Sequence, residues 1–114
     1  MRWPLWRVAV AERSMEPALQ PGDWLIAIRR PRSGRPISVR PGQLVIARLP
    51  GSPDVLLVKR ATRRERGGWW LESDNLEVSA IDSRRFGVVP PDLIEGRVLG
   101  RYWPLRRGTV TGRR

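Results

Sequence analysis

The chain has 114 residues, 40% of them hydrophobic, a net charge of +11, and neither histidine nor cysteine. A chain of this length folds around one modest core. The missing residue types exclude Ser-His-Asp and Cys-His catalysis, zinc sites built from His and Cys, and any disulfide framework.

The opening stretch Met1 to Arg7 is too short, and too soon followed by Glu12 and Arg13, to form the apolar segment of a secretory signal. No apolar run approaches the roughly eighteen residues needed to cross a bilayer. Together with the absence of cysteine, this reads as a cytoplasmic protein. Turn formers punctuate the chain at Pro21-Gly22-Asp23, Pro31 to Pro36, Pro41-Gly42, Pro50 to Pro53, Gly67-Gly68 and Pro90-Pro91. The strand-like segments between them predict strands at 7–10, 24–30, 43–49, 55–63, 69–72, 86–89 and 96–103. No window of helical length carries a clean 3.6-residue apolar period. Short helical turns are expected only near Ser14 to Leu19 and Asp92 to Glu95. The expected class is all-β: a small, partly closed antiparallel barrel or folded sheet over residues 1–105. The tail, 106–114, is basic with little apolar content and is expected to be disordered.

The basic excess is arginine: twenty-one arginines stand against one lysine, Lys59. Residues 29–40 and 101–114 contain no acid, which makes nucleic acid or an acidic protein surface a possible partner. The plainer account is a coding bias toward arginine absorbed by solvated loops. The six tryptophans could stack on bases, but at strand spacing such residues more often pack the core or its rim.

With histidine and cysteine absent, nucleophilic chemistry needs a hydroxyl, and the best available base is the amine of Lys59. That residue ends the apolar run Val55-Leu56-Leu57-Val58, where it would be desolvated. At a reference pKa of about 10.4 a lysine is protonated at neutral pH. Burial can lower the value by about 3 to 5 pH units, and about 3 units correspond to about 4 kcal/mol. Taken singly, each feature has a plain alternative. A serine before Met-Glu-Pro caps a turn, a lysine closing an apolar run reaches back to solvent, and Asp82 with Arg84 is a surface ion pair of little worth.

Three segments gain meaning together: Ser14-Met15-Glu16-Pro17 followed by Gly22-Asp23; Leu57-Val58-Lys59-Arg60; and Ser73-Asp74-Asn75 with Ser79 and then Asp82-Ser83-Arg84-Arg85-Phe86-Gly87. In this order they resemble the signal peptidase I superfamily of serine/lysine endopeptidases. The resemblance implies that fold, and Ser14 as the nucleophile with Lys59 as its base. It implies Ser79 as a hydroxyl that helps hold the lysine, Asp82 and Arg84 as an ion pair shaping the floor of the site, and Asp74 and Asn75 as architectural residues. It implies no cofactor and no metal site. The chain departs from the family pattern in three places. Glu12 stands where some members place a serine that joins the oxyanion hole; Ser73 stands where glycine is usual; and one extra residue separates Ser79 from Asp82.

Members that process exported proteins normally carry an N-terminal membrane anchor, whereas here Ser14 follows only thirteen residues. In length, and in Gly68-Trp69-Trp70, Asp82 to Gly87 and Arg101-Tyr102-Trp103-Pro104, the chain resembles the nickel-type superoxide dismutase maturation proteases. That resemblance implies removal of a leader peptide from the dismutase precursor, with nickel belonging to the substrate. Two other classes remain open: a basic β-barrel that binds nucleic acid, and a non-catalytic relative that holds a precursor uncut. The oligomeric state is not legible.

Overall fold

Prolines and glycines cut the chain into short extended pieces. In the computed structural model, which describes residues 4–77 and 81–103, six of these pieces pair into one sheet. The strands are β1 (Leu5–Ala9), β2 (Trp24–Arg29), β3 (Leu44–Leu49), β4 (Ser52–Glu65), β5 (Gly68–Glu72) and β6 (Ile94–Trp103). Their order across the sheet is β1-β2-β6-β3-β4-β5, with every neighbouring pair antiparallel. The all-β folded sheet expected from the sequence is thus present, and it is not closed: β1 and β5 are its two edges.

One turn device recurs. Pro21-Gly22 and Pro41-Gly42 precede β2 and β3, and each glycine takes a left-handed φ, +94° and +95°, that a side chain would disfavour. The β4–β5 hairpin turns on Arg66-Gly67, both at positive φ, the conformation whose twist suits the flanking strands. Register shifts in β2–β6, β3–β6 and β4–β5 mark bulges, which bend strands and increase twist.

The bent sheet carries a hydrophobic cluster on each side. β3 serves both, with Leu44 and Ile46 facing one and Val45 and Ala47 the other, which is why its first four residues are all buried. The first cluster gathers Leu25, Ala27 and Val98 of the sheet with Val10, Met15 and Leu19 from the β1–β2 connection. The second gathers Ala61, Trp69, Leu71, Val89 and Ile94.

The strand expected at 86–89 does not form. Ser83–Phe86 is instead a single helical turn, α1. The Asp82 carboxylate caps it by accepting from the Arg84 amide, and Gly87 ends it at φ +82°. Only Val89 is left to bridge to Trp69. Near the other expected turn, Pro91–Leu93 forms a 3-10 turn and β6 begins at Ile94.

Three tryptophans carry their own cations: Arg29 lies over Trp6, Arg63 over Trp70 and Arg64 over Trp69. Trp69 is buried in the second cluster. In these pairs the chain's own guanidinium groups cover the rings, which weakens the case for a base-stacking surface. The expected disordered tail at 106–114 lies outside the described residues.

Candidate functional site

The connection between β1 and β2 is drawn closed at its neck, where the Val10 amide donates to the Asp23 carbonyl and the Gly22 amide donates to the Val10 carbonyl. Within it, the Leu19 amide donates to the Met15 carbonyl in one helical turn, and the side chains of Met15 and Leu19 plug the first cluster. Ser14, next to that plug, is held in turn. Asp23 is fully buried, accepts from the Gln20 amide at 2.9 Å and faces Arg101 Nη1 of β6 at 3.4 Å, tying the far end of the turn to the sheet.

Lys59 comes from the middle of β4, opposite Val45 and on the same face as Ala61 of the second cluster. Its side chain is 1% exposed. Instead of reaching solvent, its Nζ lies 2.9 Å from Ser14 Oγ and 3.0 Å from Ser73 Oγ, donating to both. Ser14 and Ser73 are themselves buried. Burial pushes the Lys59 ammonium below its ordinary pKa of 10.5; Arg84 pushes the same way, while Glu12 and Asp82 oppose without prevailing. An amine in its neutral form has a lone pair, and the 2.9 Å separation is one across which the Ser14 hydroxyl can donate to it.

The third segment surrounds this pair. Asn75 clamps the Ser14 turn, its amide donating to the Ser14 carbonyl at 2.8 Å and its Nδ2 to the Arg13 carbonyl at 3.0 Å. Asp74 receives Arg60 at 3.2 and 2.5 Å, so the residue after Lys59 is bonded to the loop that holds Ser14. Asp82 is buried beneath. It accepts the Ser73 amide at 2.8 Å, the Arg84 amide at 3.0 Å and Arg84 Nη2 at 2.6 Å. Burial works to raise the Asp82 carboxyl, but the Arg84 side chain and these amides outweigh it and hold it at about 2. The ion pair is therefore no exposed surface pair, since its acid is enclosed while Arg84 remains part-exposed.

Of the residues singled out in the sequence, Ser14, Lys59, Asp74, Asn75, Asp82 and Arg84 converge on this one place; Ser79 lies outside the described residues. Ser73, noticed only as a departure from glycine, makes the second contact to the lysine. A hydroxyl at that departure was the available signal. Among the described residues no cluster of acidic side chains could hold a metal ion.

A cleft of about 230 Å³ opens onto Ser14. Val8, Val10 and Glu12 form one wall and Leu56 to Val58 the other, with Met15 and Ile46 also lining it. Among the described residues β1 is an edge strand, so the strand leading into this wall presents backbone groups without a strand partner on its outer side.

Residues 5–97 match the family described as Peptidase S24-like. The chain is 35% identical to mitochondrial inner membrane protease subunit 1 of Xenopus tropicalis over 81% of its own length and 65% of the relative's. The Homo sapiens subunit 1 is 33% identical over 81% of this chain and 66% of its own. The mitochondrial ATP-independent inner membrane protease subunit 1a of Arabidopsis thaliana is 34% identical over 55% of this chain and 50% of its own. The matches to the frog and human relatives thus span just under two thirds of those proteins. These names overturn the expectation of a cytoplasmic protein, because each relative is named as a subunit of a mitochondrial inner membrane protease. None of them concerns a dismutase. Among the described residues no helix is long and apolar enough to cross a membrane.

Proposed function

Starting from the Peptidase S24-like family, to which this chain belongs, we propose that it is a serine endopeptidase in which Ser14 is the nucleophile and Lys59 the base. The observation that carries this is the buried amine 2.9 Å from a hydroxyl that opens onto a cleft. In the proposed reaction Lys59 Nζ takes the hydroxyl proton as Ser14 Oγ attacks the peptide carbonyl carbon. The tetrahedral intermediate collapses as the Lys59 ammonium returns that proton to the leaving amine, and the acyl group stays on Ser14. Lys59 then deprotonates a water as its oxygen attacks the ester carbon, and when the bond to Ser14 Oγ breaks the ammonium returns that proton to Oγ, freeing the second product and restoring both residues. The Ser14 amide serves the oxyanion. Glu12 cannot donate there when ionised, and losing one such donor can cost about 100-fold to 1000-fold in rate.

The substrate we assign is a precursor whose leader segment enters in extended form, paired with the free edge of β1 and its continuation. The valine, alanine and leucine lining of the cleft suits small apolar side chains near the cut. We extend a membrane-side location from the relatives to this chain. Leu5 and Trp24, exposed on one face of β1 and β2, agree with it. The nickel superoxide dismutase precursor, suggested by the sequence alone, is carried as one test substrate beside precursors with apolar leaders.

The test is intact-mass analysis of such precursors after incubation with wild type, Ser14→Ala and Lys59→Arg. One new pair of masses produced by the wild type alone is expected, because a guanidinium stays protonated and cannot act as base. Cleavage by Ser14→Ala would overturn the assignment of the nucleophile. No cleavage of any precursor by the wild type would favour the non-catalytic relative.

A further inference from the structure

Two serines stand at nearly equal distance from one lysine, and only one of them opens onto the cleft. Ser14 lines it; the Ser73 side chain sits behind, at the end of β5. A neutral amine has two N–H bonds and one lone pair. For the lone pair to meet the Ser14 hydroxyl, the N–H bonds must point elsewhere, and a buried N–H without an acceptor is costly. Ser73 Oγ, 3.0 Å from Nζ, is that acceptor among the described residues. The backbone that carries this hydroxyl is fixed in place. The Ser73 amide is anchored on the enclosed Asp82 carboxylate at 2.8 Å, and Arg84 secures that carboxylate through two side-chain nitrogens.

Resting on the proposed peptidase reaction, we propose that Ser73 is a positioning residue for the lysine: it accepts an N–H of Lys59 and so aims the amine's lone pair at Ser14. It is not a second nucleophile, since it does not face the cleft.

Lys59 is the chain's only lysine, so labelling with lysine carrying 13C at the ε carbon gives a single resonance. Its titration can be followed whether or not a substrate is known. The ionisable groups that act on Lys59 are Glu12 from the β1–β2 connection and Asp82 and Arg84 from α1 and its cap. All three are intact in the variants used here. Removing an acceptor that favours the ammonium should move the midpoint of Ser73→Ala below that of the wild type, and Ser73→Thr should bring it back. In the cleavage assay kcat of Ser73→Ala should fall by about 10-fold to 100-fold with KM within about twofold. The acid limb of kcat should move to lower pH with the NMR midpoint, and Ser73→Thr should recover most of the rate. Thermal melts establish that each variant is folded. An unchanged Lys59 titration in folded Ser73→Ala would overturn the proposal, as would a folded Ser73→Thr that behaves like Ser73→Ala. If the wild type cleaves no precursor but the titration moves as described, the peptidase reading fails while the contact between Ser73 and the lysine stands.

Discussion

Asp82→Asn is the substitution whose effect follows most directly from the geometry. The carboxylate is almost fully enclosed and accepts the Ser73 and Arg84 amides together with the Arg84 guanidinium. Those bonds hold its pKa at about 2 against an ordinary 3.8. At about 1.4 kcal/mol per pH unit, that difference makes the ionised form worth about 2 kcal/mol to the folded state. The sign is that of a depressed acid. The contribution is complete above the unfolded value of 3.8 and is lost as pH falls through that value toward about 2. An asparagine amide cannot replace both accepting oxygens. At pH 7 the variant should therefore be less stable by about 2 kcal/mol, which for a domain of this size lowers Tm by about 8 to 10 °C. The gap should narrow by about half near pH 3. Urea denaturation of wild type and variant at pH 7, 5 and 3 measures it. A variant equal to wild type at pH 7, or a gap that does not narrow with acid, would refute the reasoning.

Lys59→Met tests a linkage of the same sign on a group whose charged form the fold disfavours. The folded pKa of Lys59 lies below 10.5, so between that folded value and 10.5 the folded state binds fewer protons and wild-type stability rises with pH. Methionine removes the burial penalty of the ammonium and should stabilise the fold by about 1 kcal/mol or more at neutral pH. That advantage should shrink as pH climbs toward 10.5, as thermal melts across the alkaline range would record. Asn75→Ala removes the side-chain bond to the Arg13 carbonyl while leaving the main-chain bond to Ser14. It should cost about 1 kcal/mol of stability. It should also lower kcat/KM by about 10-fold through a less well placed Ser14 turn, measurable in cleavage progress curves; unchanged kinetics would remove Asn75 from the positioning of Ser14.

The strands were legible because their ends are chemical. Pro21-Gly22, Pro41-Gly42 and Gly67 demand backbone conformations that end one strand and begin the next, wherever the rest of the chain lies. The turn at Ser83–Phe86 was not legible. Its cap is the side chain of Asp82, and that carboxylate is fixed by Ser73 and Arg84 as much as by its own neighbours. Local propensity at 86–89 therefore favoured a strand that tertiary contacts replaced. Lys59 stood out as the only lysine, yet the apolar run before it occupies both faces of β4 and could not say which way the lysine points. The alternation of Leu57, Lys59 and Ala61 on the buried face settles that, and it becomes visible only once β3 and β5 cover the strand.

The residues that converge on Ser14 come from three segments far apart in the chain, and what joins them is the β4–β5 hairpin. That hairpin sets the reach between Lys59 and Ser73, and the loop after β5 then returns Asn75 to the Ser14 turn. A motif can reveal that a serine and a lysine belong to one site. It cannot reveal which second hydroxyl the amine meets, because that depends on where a hairpin ends. The departure from glycine at Ser73 falls at this end of β5, where a side chain can reach Nζ. The same fold can therefore hold the lysine from a position that the family pattern leaves without a side chain.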